Sequence, residues 1–149
     1  MIKLISRSFI SICLFFAAFT AQGGAILFVS FSMPDLALKQ YFVQAKHYHI
    51  PMVVRGLVNN SFRDTANKVF DLSKQKNIGG IEINPVSFEK FSIKQVPALV
   101  VFHNCDSKNI CHKANFDVIY GNIPIHRSLE IIAKNGDISA QAKSILQED

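Results

Sequence analysis

The run Phe91-Ser92-Ile93-Lys94-Gln95-Val96-Pro97-Ala98-Leu99-Val100-Val101-Phe102 joins a short loop to a strongly apolar segment through a proline. Proline has no N–H to give to a strand ladder, so it belongs at a strand's first residue or on an edge. A strand is therefore predicted over residues 97–102, with Pro97 opening it. Only X-Pro bonds reach the cis form cheaply, which makes Val96–Pro97 a candidate cis-proline loop.

Outward from that strand, helix and strand signals alternate without repeats or low-complexity tracts. Residues 25–31 are almost continuously apolar, the pattern of a buried parallel strand. Ser32-Met33-Pro34-Asp35 then opens a helix. Pro34 suits the first helical position, and an early Asp suits the positive end of the helix dipole. Leu38, Tyr41, Phe42 and Ala45 recur at i, i+3, i+4 and i+7, one inward stripe. Residues 51–57 read as a second strand, apolar except for Arg55. Ser61 with Asp64 resembles a capping box, and Phe62, Ala66, Val69 and Phe70 supply the apolar face of the helix that follows. Asn77-Ile78-Gly79-Gly80 stops it. Residues 81–83 form a short strand, and residues 85–91 a loop with one helical turn. Residues 116–120 form the last strand, too close to 97–102 for a helical crossover, so these two pair antiparallel. Ile125, Leu129, Ile132 and Ala133 face inward from a helix ended by Asn135-Gly136. A short amphipathic helix over 138–146 is expected to fray. The order β-α-β-α-β-(α)-β-β-α predicts an α/β fold: a mixed five-stranded sheet with helices on both faces. That order, with the proline loop, resembles thioredoxin.

The N-terminus stands apart. Lys3 and Arg7 precede an apolar stretch over residues 9–19, followed by Ala21-Gln22-Gly23. A basic start, a short apolar stretch and small residues at −3 and −1 predict a secretory signal peptide over residues 1–23, leaving a mature domain over 24–149. The stretch falls short of the ~20 apolar residues of a membrane span. The whole chain carries sixteen Lys and Arg against eleven Asp and Glu, a net charge of +5. Loss of Lys3 and Arg7 leaves fourteen bases against the same eleven acids. This excess is scattered, whereas a nucleic-acid footprint clusters on one face. Export implies an oxidising compartment, where disulfides persist.

Of three cysteines, Cys13 lies in the signal segment, and Cys105 and Cys111 remain. No Cys-x-x-Cys occurs. An even pair in an exported chain argues for one structural bridge, Cys105–Cys111. Zinc held by His103, Cys105, Cys111 and His112 is a weaker alternative, and a redox-active Cys105–Cys111 pair is another. In open α/β sheets ligands gather at the carboxyl ends of strands. Two such ends compete for the position a thioredoxin active site would take. Counting elements gives Asn59-Asn60-Ser61-Phe62, after the second strand, and is preferred because it needs no inserted βα unit. Comparison with disulfide-isomerase-like domains gives Ser32-Met33-Pro34-Asp35, after the first. Neither offers a thiolate at a helix N-terminus. Arg55 with Gly56 is a further candidate, since a charge inside an apolar strand is unusual; it either pairs internally or reaches a partner's carboxylate. His47 and His49 near a helix end suit the negative end of its dipole. No nucleophile elbow or phosphate loop is present.

Four pieces in order carry a family resemblance: Val29-Ser30-Phe31-Ser32-Met33-Pro34; Val54-Arg55-Gly56-Leu57-Val58-Asn59-Asn60-Ser61-Phe62; Asn84-Pro85-x-x-Phe88; and Gln95-Val96-Pro97-Ala98. Together they resemble the TrbC family, pilin assembly proteins of F-type conjugative transfer systems. Asn84 departs from the Asp expected before Pro85. The resemblance implies a periplasmic, thioredoxin-like protein without enzymatic activity or cofactor, serving assembly of the conjugative pilus and its type IV secretion system beside a TraW-like partner. A groove at Ser32, Met33, Pro34, Arg55, Gly56, Asn59 and the Val96–Pro97 loop would then hold a partner segment. The rival expectation is an exported thiol-disulfide oxidoreductase or isomerase using Cys105 and Cys111.

Overall fold

A computed structural model describes residues 23–73, 80–103 and 111–148. Residues 1–22 of the predicted signal peptide, the 77–79 part of the Asn-Ile-Gly-Gly stop and Cys105 lie outside them, while Gly23, the last residue of that predicted peptide, is the first of a strand. The chain runs β1 (Gly23–Val29), α1 (Asp35–His47), β2 (Met52–Val54), a 3-10 turn (Val58–Asn60), α2 (Phe62–Ser73), β3 (Ile81–Ile83), α3 (Pro85–Lys90), β4 (Ala98–His103), β5 (Phe116–Tyr120), α4 (Ile125–Asn135) and α5 (Ser139–Gln147). The sheet order is β3-β2-β1-β4-β5. β1 and β2 pair parallel, as do β2 and β3, while β4 runs antiparallel to both β1 and β5. The mixed five-stranded sheet expected from the sequence is present.

Central β1 explains why its sequence reads as unbroken apolar: successive side chains point to opposite faces, and both faces are covered. Ala25, Leu27 and Val29 enter one core with α1, α4 and α5, where Met52, Val54, Leu99 and Val101 join them. Phe28 enters a second core on the opposite face with Val53, Ala98, Val100 and the α3 residue Phe88. Register enforces this division, since Leu27 lies between Met52 and Leu99, and Phe28 between Val53 and Ala98. Phe28 meets Phe88 and Phe91 edge-on, at ring-centroid distances of 4.8 and 6.0 Å.

The inward stripe of α1 is the one its spacing predicts: Leu38, Tyr41, Phe42 and Ala45 are all buried. Pro34 sits one position earlier than expected, as the N-cap, its carbonyl accepting from the Leu38 N–H at 3.1 Å. Three expectations need correction. β2 ends at Val54, so Arg55 lies outside the strand, exposed in the following bend. The face of α2 is turned: Thr65, Leu72 and Ser73 are buried, while Phe62 and Phe70 are exposed. The cause is local. The Thr65 hydroxyl donates to the Ser61 carbonyl at 2.7 Å and accepts the Val58 N–H at 2.9 Å, which fixes Thr65 inward and carries Leu72, seven residues on, to the same side. Finally, α5 is anchored, with Ala142 and Ile145 buried and the Ile138 N–H donating to Asp117 Oδ2 at 2.7 Å.

Candidate functional site

The carboxyl ends of β1 and β2 open into a cleft of about 600 Å³. Val29, Ser30, Phe31 and Ser32 line it from β1, Val54 to Asn59 from β2, and Phe88, Ile93, Lys94 and Val96 from α3 and the loop before β4. Three chain segments distant in sequence thus share one concavity.

Each wall has a local cause. After β1 the chain turns at once: the Met33 N–H donates to the Ser30 carbonyl at 3.1 Å, and the Ser32 N–H to Ser30 Oγ at 3.2 Å. The two serine hydroxyls lie 2.8 Å apart. After β2, Asn59 and Asn60 take left-handed backbone (φ 48° and 52°), which Asn tolerates better than most residues. The turn closes with the Ser61 N–H donating to the Val58 carbonyl at 2.8 Å. The predicted capping box is half made. Ser61 Oγ accepts the Asp64 N–H at 3.2 Å, while the Asp64 carboxylate accepts from Asn59 Nδ2 at 3.2 Å. At the third wall, Asn84 caps α3 by accepting the Ser87 N–H at 3.0 Å, a task the amide performs as a carboxylate would. The Ile93 N–H then donates to the Phe88 carbonyl at 2.8 Å, bringing the chain round to Lys94 and a cis Val96–Pro97 bond.

Arg55 crosses the cleft. Its Nη2 donates to the Ile93 carbonyl at 2.8 Å, and its guanidinium lies 4.8 Å from the centre of the Phe88 ring. This is the internally held arginine the sequence offered as one alternative, with most of its five N–H donors left over.

Of the residues singled out in the sequence, Ser32, Arg55, Gly56, Asn59 and Val96 line this cleft. Met33 does not; it packs against the α1-side core. Pro34 caps α1, and Pro97 sits half-buried behind Val96, its carbonyl accepting the Gly121 N–H at 3.0 Å. Both strand ends that the sequence offered meet in this cleft. Ala98 pairs with Phe28, so the proline loop neighbours the end of β1, with β2 one strand farther. Ser30, Phe31, Ile93 and Lys94 were missed as site residues, although Lys94 lies only three positions before Pro97. Cys111 packs half-buried against the second core and does not line the cleft, and Cys105 falls outside the described residues. The metal set that includes Cys105 falls partly outside them too.

Residues 27–132 match the family model of the type-F conjugative transfer system pilin assembly protein, a range that takes in every wall of the cleft and most of both cores. The chain belongs to this TrbC family. It is also 38% identical over 123 residues to the periplasmic protein TrbC of Escherichia coli (strain K12), a match covering 83% of this chain and 54% of the relative. The chain therefore spans about half the length of that relative. No solved structure matches. As a TrbC family member the chain is a periplasmic protein of a conjugative transfer system. Among the described residues, no helix is long and apolar enough to cross a membrane.

Proposed function

We propose that this TrbC family member is a non-enzymatic assembly factor that holds an extended segment of another pilus-assembly protein, one of the TraW kind, in the cleft between β1, β2 and the Val96–Pro97 loop. The observation that carries this reading is the cleft itself: backbone turns, hydroxyls and an asparagine converge there on apolar walls, and among the described residues no cysteine lines it. A thioredoxin-like scaffold with the reactive position occupied by Ser32 can bind peptide and cannot attack a disulfide there, since the thiolate is the nucleophile in that chemistry. Extended peptides dock on such frames through main-chain hydrogen bonds, with pockets for alternate side chains. In this reading Cys105 and Cys111 form a structural bridge that stabilises the β4–β5 connection by about 2 kcal/mol.

Two measurements test the proposal. A photoreactive residue in place of the exposed Ser32 should cross-link a partner in cells carrying the transfer system; the same residue at exposed Lys143, on α5, should not. Purified protein should also fail to turn over a disulfide substrate. Turnover abolished by Cys111→Ser, or absence of any Ser32-specific product, would overturn the proposal.

A further inference from the structure

Taking that binding role as given, the charge of the cleft points to the chemistry of its occupant. Fourteen of the described residues line it; two of them, Arg55 and Lys94, are cations, and none of the fourteen is Asp or Glu. The two are adjacent in space through the backbone, because Arg55 Nη2 is bonded to the carbonyl of Ile93, the residue preceding Lys94. Among the described residues neither side chain makes an ion pair. Lys68 and Arg127, by contrast, are paired, with Asp35 and Glu130. Arg55 is moreover held on one edge by the carbonyl and on one face by Phe88. Its remaining N–H groups are fixed in advance, so less freedom is lost when they meet an acceptor.

The apolar surface around this pair comes from half-buried Phe31, Leu57, Val58 and Val96, over Val29, Val54, Phe88 and Ile93, which the fold itself buries. We infer that the occupant is an extended segment presenting a carboxylate between apolar side chains, the carboxylate seated on Arg55 and Lys94. A carboxylate here forms charge-assisted bonds, roughly twice as strong as neutral ones. The excess of fourteen bases over eleven acids left after loss of Lys3 and Arg7 favours encounter with such a partner. The carboxylate is an Asp or Glu side chain, because a chain terminus has neighbours on one side only.

The test uses the Ser32 cross-link in cells carrying the transfer system and changes only position 94, which is exposed and, among the described residues, has no ion-pair partner to lose. Lys94→Glu should cut the cross-link yield about tenfold, the scale expected when a charge-assisted bond gives way to a repulsion. Lys94→Arg should keep the wild-type yield, and both variants should melt at the wild-type temperature. Mass mapping of the linked peptide should find an Asp or Glu within the segment, flanked by apolar residues. Undiminished yield in Lys94→Glu, or a mapped segment holding no such acid, a free chain terminus included, overturns the inference while leaving the binding role intact. Absence of any wild-type product removes both.

Discussion

Phe28 and Phe62 are the same side chain with opposite fates. Phe28 is 0% exposed and closes a cluster of aromatic edges with Phe88 and Phe91; Phe62 is 78% exposed at the start of α2. Truncating a fully buried phenylalanine removes its transfer free energy and leaves a cavity, together about 3–5 kcal/mol. Phe28→Ala should therefore bring urea unfolding near to native conditions. Phe62→Ala should stay within about 0.5 kcal/mol of wild type, as surface changes do. Both residues lie in apolar patterns in the sequence. Phe28 was legible because the whole of residues 25–31 is nearly all apolar, which leaves no polar face to expose. Phe62 was not, because the rotation of α2 is set by the Thr65 hydroxyl, a bond with no signature in hydrophobic spacing.

Helix ends divide in the same way. The cap of α3 is local: Asn84 stands directly before Pro85 and serves Ser87. The caps of α4 and α5 come from far along the chain. Gln44 on α1 accepts the Ile125 N–H at 2.7 Å, and Asp117 on β5 accepts that of Ile138 at 2.7 Å. Gly136 belongs to the second device: a Cβ there would stand 2.4 Å from Asp117 Oδ2 and 2.8 Å from the Ile132 carbonyl. Asp117→Ala should cost about 1–2 kcal/mol, the loss of a capping acceptor from a half-buried helix start. Hydrogen exchange should show the loss concentrated in α5, with β1 and β4 amides still protected. Uniform loss across the sheet would mean that Asp117 acts on the fold as a whole. In sequence α5 reads as a fraying helix because its partner lies 21 residues upstream, beyond any local window.

Stability of the entire fold should carry an alkaline limit set by Tyr41. Burial pushes its phenol above the ordinary value of 10.0, while its hydrogen bond to Ile123 pulls the other way. The hydroxyl donates to the Ile123 carbonyl at 3.2 Å and to that of Gly121 at 3.5 Å, tying α1 to the loop before α4. The unfolded chain loses this proton at lower pH than the folded one. Stability therefore falls as pH rises from about 10 toward the folded-state value, and is unaffected by this group below that range. Urea unfolding at pH 9, 10 and 11 should fall more steeply for wild type than for Tyr41→Phe, the difference isolating this group from other tyrosines. Parallel slopes would remove Tyr41 from the alkaline limit.

The alternation of apolar runs, the proline before β4 and the short β4–β5 spacing were enough to order the elements and anticipate a mixed sheet, because strand burial and strand direction leave their mark in adjacent residues. The four ordered pieces around Ser32, Arg55, Asn84 and Pro97 likewise carried the family. The cleft needed three dimensions. Its walls lie far apart along the chain, and it exists because β1 lies between β2 and β4, a neighbour relation fixed by long-range pairing of Phe28 with both Val53 and Ala98. The same pairing places Lys94 beside Arg55 and sends Met33 into the core. Side-chain direction depends on how the elements pack against one another, and no run of neighbouring residues records that.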